Sequence, residues 1–156
     1  MSTVIRAADI RAAQAPREHP RDPTRVRITT SLGDQVGLTK VGIHATRLEP
    51  NMLSTVEHYH DGDDEWFFIL KGSGLLLGEG EGTGTVVNEG DFVGFAAGRK
   101  IPHAFKAGAD GMEYLTGGSR VPMDMTHYPG IGKSLLVNIA AGTQTLYDAT
   151  TSKDVS

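Results

Sequence analysis

His58-Tyr59-His60-Asp61-Gly62-Asp63-Asp64-Glu65-Trp66-Phe67-Phe68-Ile69-Leu70 places three metal-capable side chains within eight residues and then runs into an apolar segment. In an extended strand successive side chains alternate faces, so His58 and His60 point one way and Tyr59 the other. Asp61-Gly62-Asp63-Asp64 is turn chemistry, and Trp66–Leu70 reads as a short second strand. A hairpin-like bend then carries Glu65 back towards the two imidazoles, and the three side chains make up most of a metal site. With six His and eight Glu in the chain, random placement would produce this spacing roughly 0.01 times. Two histidines on an ordinary half-polar strand are the plainer alternative, and chance explains the pattern poorly.

At 156 residues and 16.7 kDa the chain is long enough for one domain with a single sizeable core. The formal net charge is -4 and the pI about 5.8, with no broad basic face for a phosphate backbone, so nucleic acid is not an expected partner. There is no cysteine, which removes disulfides, thiolate ligands and a cysteine nucleophile and leaves His and carboxylate as the ligand repertoire. No apolar run approaches the ~18 residues of a membrane span, and the N-terminus lacks a signal peptide's apolar core. The expected location is the cytoplasm, with no membrane contact. Gly accounts for 20 of the 156 residues, nearly twice the usual ~7%. It falls between short apolar segments, which is the punctuation of an all-β domain.

Outward from the histidine pair, three regions are expected. Residues 1–24 form an N-terminal arm: Ile5–Gln14 has helix formers, Pro16, Pro20 and Pro23 stop a helix, and His19 is expected to face solvent. A disordered tail is the competing reading of this region. Residues 25–138 form the β domain. Val26, Ile28 and Thr30 alternate, Gly33-Asp34 turns, and Val41, Ile43 and Ala45 alternate again. His44 lies out of phase with that row, as an outward-facing or packing histidine. Met52, Ser54, Val56, His58 and His60 share one face by parity. Gly78–Gly84 reads as a flexible hairpin tip rather than a calcium loop, whose ligands would be more numerous. Met112–Thr116 reads as the last strand and Lys133–Asn138 as an added edge strand. Residues 139–156 are expected to be a loose tail.

With Phe92–Phe95, Gly98 and Ile101-Pro102-His103-Ala104-Phe105 added, the chain resembles the cupin superfamily of double-stranded β-helix, or jelly-roll, barrels. His58, His60, Glu65 and Gly72 match the family's first motif, including the six-residue gap to the glycine. Gly90, Gly98 and His103 match the second. Met52 stands where the first motif has its leading glycine, Ala96 replaces a proline, Ala107 replaces an asparagine, and Gly98 and His103 are farther apart than in the motif. The resemblance covers roughly residues 40–118 and implies that His58, His60, Glu65 and His103 are the ligands of one metal. Asp124, His127, Tyr128 and Pro129 further resemble a C-terminal segment of some small bacterial and fungal cupins.

Such a site suits one divalent transition metal: zinc, iron, manganese or nickel. Four protein ligands on an octahedral ion leave two adjacent positions, enough to chelate a small oxygenated molecule or to take one oxygen donor plus dioxygen. The leading expectation is Lewis-acid chemistry on an enolisable small molecule: decarboxylation, elimination, isomerisation or cyclisation. An iron-dependent dioxygenase and a non-catalytic ligand-binding barrel are the alternatives. Tyr114 and Glu113, with Tyr59 and the Asp61/Asp63/Asp64 cluster, are the candidate proton carriers. A small open-ended barrel has edges to cover, so a homodimer is expected.

Overall fold

A computed structural model describes residues 3–78 and 84–149. Its strands are β1 (Ala15–His19), β2 (Asp22–Ser31), β3 (Val41–Leu48), β4 (Tyr59–His60), β5 (Glu65–Leu77), β6 (Thr85–Asn88), β7 (Phe92–Phe95), β8 (Ala104–Ser119), β9 (Met123–Tyr128), β10 (Lys133–Asn138) and β11 (Thr143–Asp148). Helix among the described residues is short: α1 (Ala7–Ala13) ahead of β1, the single turn α2 (Leu32–Gln35) between β2 and β3, and a 3-10 turn at Pro129–Ile131 between β9 and β10. One sheet is seven-stranded in the order β1-β2-β3-β8-β5-β6, with β7 also on β5, and the other is four-stranded, β11-β10-β9-β4. The paired strands are antiparallel. This is the expected all-β barrel, and no helix among the described residues is long and apolar enough to cross a membrane.

The long strands β5 and β8 form the spine. Phe67, Ile69 and Leu76 of β5 meet Phe105, Ala107, Met112 and Tyr114 of β8 in the buried core, with Leu48 and Val87 completing it. Phe67, Phe105 and Tyr114 pack mutually, their ring centroids 4.9 to 5.8 Å apart, within the range of favourable aromatic pairs. Alternation puts Trp66, Phe68 and Leu70 on the opposite face of β5. Phe68 and Leu70 are exposed there.

Several expectations are corrected at the two ends of the chain. The short helix is present, but Pro16 does not begin a free lead-in: β1 pairs with β2, placing Arg17 opposite Arg27 and Glu18 opposite Val26. β1 is an edge strand, where proline is tolerated because its missing N–H can face away from the ladder. The hairpin turns His19 inward, where it is 6% exposed rather than solvent-facing. At the other end, Lys133–Asn138 is not an edge strand, since β10 lies between β9 and β11. The tail is not loose as far as Asp148, because β11 pairs with β10 along its whole length. Residues 79–83, most of the expected hairpin tip, and residues 150–156 of the tail lie outside the described part.

One glycine has a packing reason. Gly117 lies opposite Trp66 in the β5–β8 ladder, and a Cβ there would sit 2.2 Å from the indole. The indole in turn stacks on Phe92 at 6.1 Å, so it cannot move aside without losing that contact. Gly117→Ala is expected to destabilise the fold by ~1–3 kcal/mol, the usual cost of overpacking, while Gly130→Ala, which meets nothing within 4 Å, is expected to be near neutral. Urea denaturation of both variants checks the contrast.

Candidate metal centre

Three separate pieces of backbone deliver the cluster. His58 lies just before β4, His60 ends β4, and Glu65 opens β5 after the Asp61–Asp64 turn. His103 arrives from the loop before β8 and is fixed to His58 by an isolated antiparallel bridge, with N–H···O distances of 3.3 and 3.0 Å. The lengthened Gly98–His103 segment is anchored at its start by the Gly98 N–H on the His60 carbonyl at 3.0 Å. It therefore still brings His103 to the other two histidines.

The three imidazoles converge on one atom. Glu65 Oε2 lies 2.9 Å from His103 Nε2 and 3.5 Å from both His58 Nε2 and His60 Nε2. One donor atom each from His58, His60 and Glu65 all lie within 4.8 Å of one another. The other ring nitrogens are all occupied. His58 Nδ1 donates to the Val56 carbonyl at 2.9 Å and His103 Nδ1 to the Ile101 carbonyl at 3.0 Å, while His60 Nδ1 donates to Asp124 Oδ2 at 2.6 Å. A carbonyl can only accept, so the Nδ1 atoms of His58 and His103 carry hydrogen and their neutral tautomers present bare Nε2 lone pairs to Glu65. Lone pairs aimed at a carboxylate repel it unless a cation stands between them. The donor set, its tautomers and its supporting acceptors therefore fit a divalent metal.

The electrostatics agree. Burial opposes ionisation of Glu65, but where no metal stands between them, hydrogen bonds donated by His103, His58 and His60 through a protonated Nε2 outweigh it and hold the carboxyl well below the usual range. Burial likewise disfavours a charge on His60, yet Asp124 and Glu65 lift its pKa to about 10. This pocket favours a positive charge beside Glu65, whether protons or a metal supply it. His103 is locked in place by Phe95, stacked at 3.6 Å and 5°, and by the edge contact with Phe67 at 5.9 Å.

Asp124 is the residue whose role the sequence reading missed. Buried on β9, it accepts from His60 through Oδ2 and from the Gly62 N–H through Oδ1 at 2.8 Å. It thus fixes both the imidazole and the turn leading to Glu65. Nothing local marks it, since 64 residues separate it from His60; only its place in the C-terminal segment pointed to it.

A cavity of about 290 Å³ opens from the cluster, bounded by His19, Phe67, Tyr114, Thr126 and Tyr128 among others. A larger one of about 700 Å³ adjoins it and shares Pro20, Arg27, His60, Glu65 and Thr116. Tyr114 thus faces the cavity, and burial pushes its hydroxyl far above the ordinary phenol range. Glu113 does not: it alternates to the other face of β8, lines neither cavity, and lies opposite Arg47 and Lys71. Tyr59 stacks on His127 at 4.7 Å, away from the imidazole face as parity required. Asp61 pairs with His127, and Asp63 and Asp64 accept from Val121 and Ala97 backbone N–H groups, so all three have structural partners. His44 lines the larger cavity, and burial lowers its pKa. His19 borders the smaller one. Burial, helped by the charges of Arg27, His58, Arg25 and Arg21, lowers its pKa to about 4, so its ring is neutral.

Comparison with known proteins bears on this site. Residues 45–116 match the family model described as a cupin domain, the segment holding all four clustered side chains. No curated protein matches the chain significantly. Among solved structures, a candidate sugar phosphate isomerase from Acidithiobacillus ferrooxidans is 32% identical, covers 98% of this chain and 96% of its own, and superposes with a TM-score of 0.88. A sugar phosphate isomerase of the cupin superfamily from Silicibacter pomeroyi is 27% identical over 83% of this chain and 81% of its own, with a TM-score of 0.73. The polyketide cyclase RemF from Streptomyces resistomycificus shares the fold at 17% identity and a TM-score of 0.59, covering 76% of this chain and 79% of its own. With a cupin-domain match over the segment that holds its motif histidines and a near full-length likeness to the first of these structures at 32% identity, the chain belongs to the cupin superfamily.

Proposed function

We propose that the protein is a metal-dependent enzyme that isomerises a small hydroxycarbonyl compound of the sugar phosphate class by Lewis-acid chemistry. The observation that carries this reading is the convergence of three imidazole Nε2 atoms on Glu65 Oε2 with every Nδ1 already engaged. The likeness to two structures described as sugar phosphate isomerases supports the substrate class. His58, His60, Glu65 and His103 would hold one divalent transition metal. Bound there, it would polarise a carbonyl and acidify the adjacent C–H, the requirement for aldose–ketose interconversion.

The chain's own groups supply the rest. Tyr114 and Tyr128 border the cavity with hydroxyls that burial keeps protonated, so both are hydrogen-bond donors to substrate oxygens. Neutral His19 offers Nε2 as well, since its Nδ1 accepts the Arg21 N–H at 3.1 Å. Phe67 forms part of the cavity wall. Self-association belongs to the same proposal, supported by the exposed Phe68, Leu70 and Phe92 on the outer face of β5 and β7.

Elemental analysis of protein purified without chelator, with an aldose–ketose interconversion assay on small sugar phosphates, tests the reading. Zinc, manganese or nickel with turnover supports it; iron with oxygen consumption would replace it with a dioxygenase, and metal without turnover would leave a binding protein. His60→Ala and His103→Ala are expected to lose most of the metal, Glu65→Gln to bind it more weakly, and Tyr59→Phe to keep it. Full occupancy in His60→Ala would sink the proposal. Asp124→Asn removes the acceptor behind His60, and a ~10–100-fold loss of metal affinity in competitive chelator titration is expected. Because His60 is held protonated up to about pH 10 without a cation, adding zinc to stripped protein near neutral pH should displace a proton. A pH drop in weakly buffered solution reads this out.

A further inference from the structure

The β1–β2 hairpin puts Arg17 directly opposite Arg27, and both line the larger cavity. Facing residues in an antiparallel pair project to the same side of the sheet, and like charges so placed destabilise it unless something neutral or negative lies between them. Neither guanidinium makes an ion pair among the described residues, whereas Arg25, Arg47 and Arg120 are paired with Asp22, Glu49 and Asp34. Arg27 goes further: its Nε is buried without a hydrogen-bond partner, a costly state for a charged donor.

Four of the five acids that border the larger cavity are committed elsewhere. Asp34 pairs with Arg120, Asp63 accepts from Ser119 and Val121, Asp64 accepts from the Ala97 N–H, and Glu65 faces the imidazoles. Glu18 also borders this cavity, but at the position next to Arg17 and opposite Val26, so it faces neither arginine across the strand pair. Hydroxyls continue the row inward on β2 and β3, where Thr29 and Thr46 are hydrogen-bonded at 2.9 Å. Arg27 also borders both cavities, as do His60 and Glu65. It therefore stands where a molecule seated at the metal cluster extends outward.

We propose that Arg17 and Arg27 form a clamp for a phosphate dianion, taking the charged end of the molecule whose oxygens reach the histidine cluster. Two unpaired guanidinium forks suit a group with two charges and several acceptor oxygens better than a singly charged carboxylate. The clamp rests on the proposed reading for the identity of the molecule but not for its own existence, since none of its atoms belongs to the metal cluster.

Calorimetric titration with inorganic phosphate and with acetate, on metal-loaded and chelator-stripped protein, tests it. Wild-type protein is expected to bind phosphate in both forms, at least ~10-fold more tightly than acetate. Arg27→Met should weaken phosphate by ~10-fold or more with metal content unchanged, Arg27→Lys should recover part of it, and Arg17→Met should show a smaller loss. Thermal melting confirms that each variant is folded. Phosphate affinity indifferent to Arg27→Met and Arg27→Lys would overturn the clamp, as would phosphate binding that disappears on metal removal, or acetate bound as tightly as phosphate. Metal content in the same samples separates the two failures: an occupied centre with no Arg27 effect ends the clamp alone, and Arg27-dependent phosphate binding to protein that takes up no metal ends the enzyme reading alone.

Discussion

The Glu65 carboxylate, its side chain 21% exposed at the mouth of the cavity, is the constraint around which this molecule is arranged. A carboxylate carried into a barrel must find positive charge or donors, because its desolvation is worth several kcal/mol. Three imidazoles meet it, two of them with Nδ1 turned to a backbone carbonyl two residues earlier and the third to Asp124. Each support comes from a different structural device: a loop carbonyl for His58, the Pro102 loop for His103, and the second sheet for His60. The centre is consequently a joint between the two sheets as well as a chemical site. β9, paired to β4 at Tyr59 and His60, carries both the strand and the carboxylate that set the angle of the His60 ring.

The aromatic core beneath the centre has a second role. Phe67 touches Phe105, Tyr114, Phe95 and His103, so one side chain links the packed interior to an imidazole of the cluster. Such coupling makes the geometry of the site inherit the rigidity of a close-packed core. The open side of the cavity is built differently, from the hairpin of β1 and β2, where charge and hydroxyls replace aromatics.

Strand parity was enough to place His58, His60 and Tyr59 correctly, because the period of two survives even where β4 is only two residues long. His103 needed the family pattern, since no local rule links it to residues more than forty positions earlier. What could not be read is what depends on pairing alone. β11 is exposed along its whole length, so it shows no apolar alternation, and its backbone bonds to β10 leave no trace in composition. The N-terminal hairpin was hidden by its prolines, which act as breakers in a helix or central strand but are compatible with an edge. His19 was read as solvent-facing, and the pair Arg17 and Arg27 went unassigned, for the same reason: their surroundings exist only once β1 has folded onto β2.

Pro16 also bears on how copies of this chain can meet. An exposed sheet edge is a template for another strand, and natural proteins interrupt such edges with proline and charge. β1 has Pro16 near its start and Arg17 and Glu18 after it, which deny a second chain a continuous row of donors. Edge-to-edge extension of the seven-stranded sheet is thereby disfavoured at this margin, which leaves side-chain surfaces rather than backbone ladders as the way for another copy to dock there.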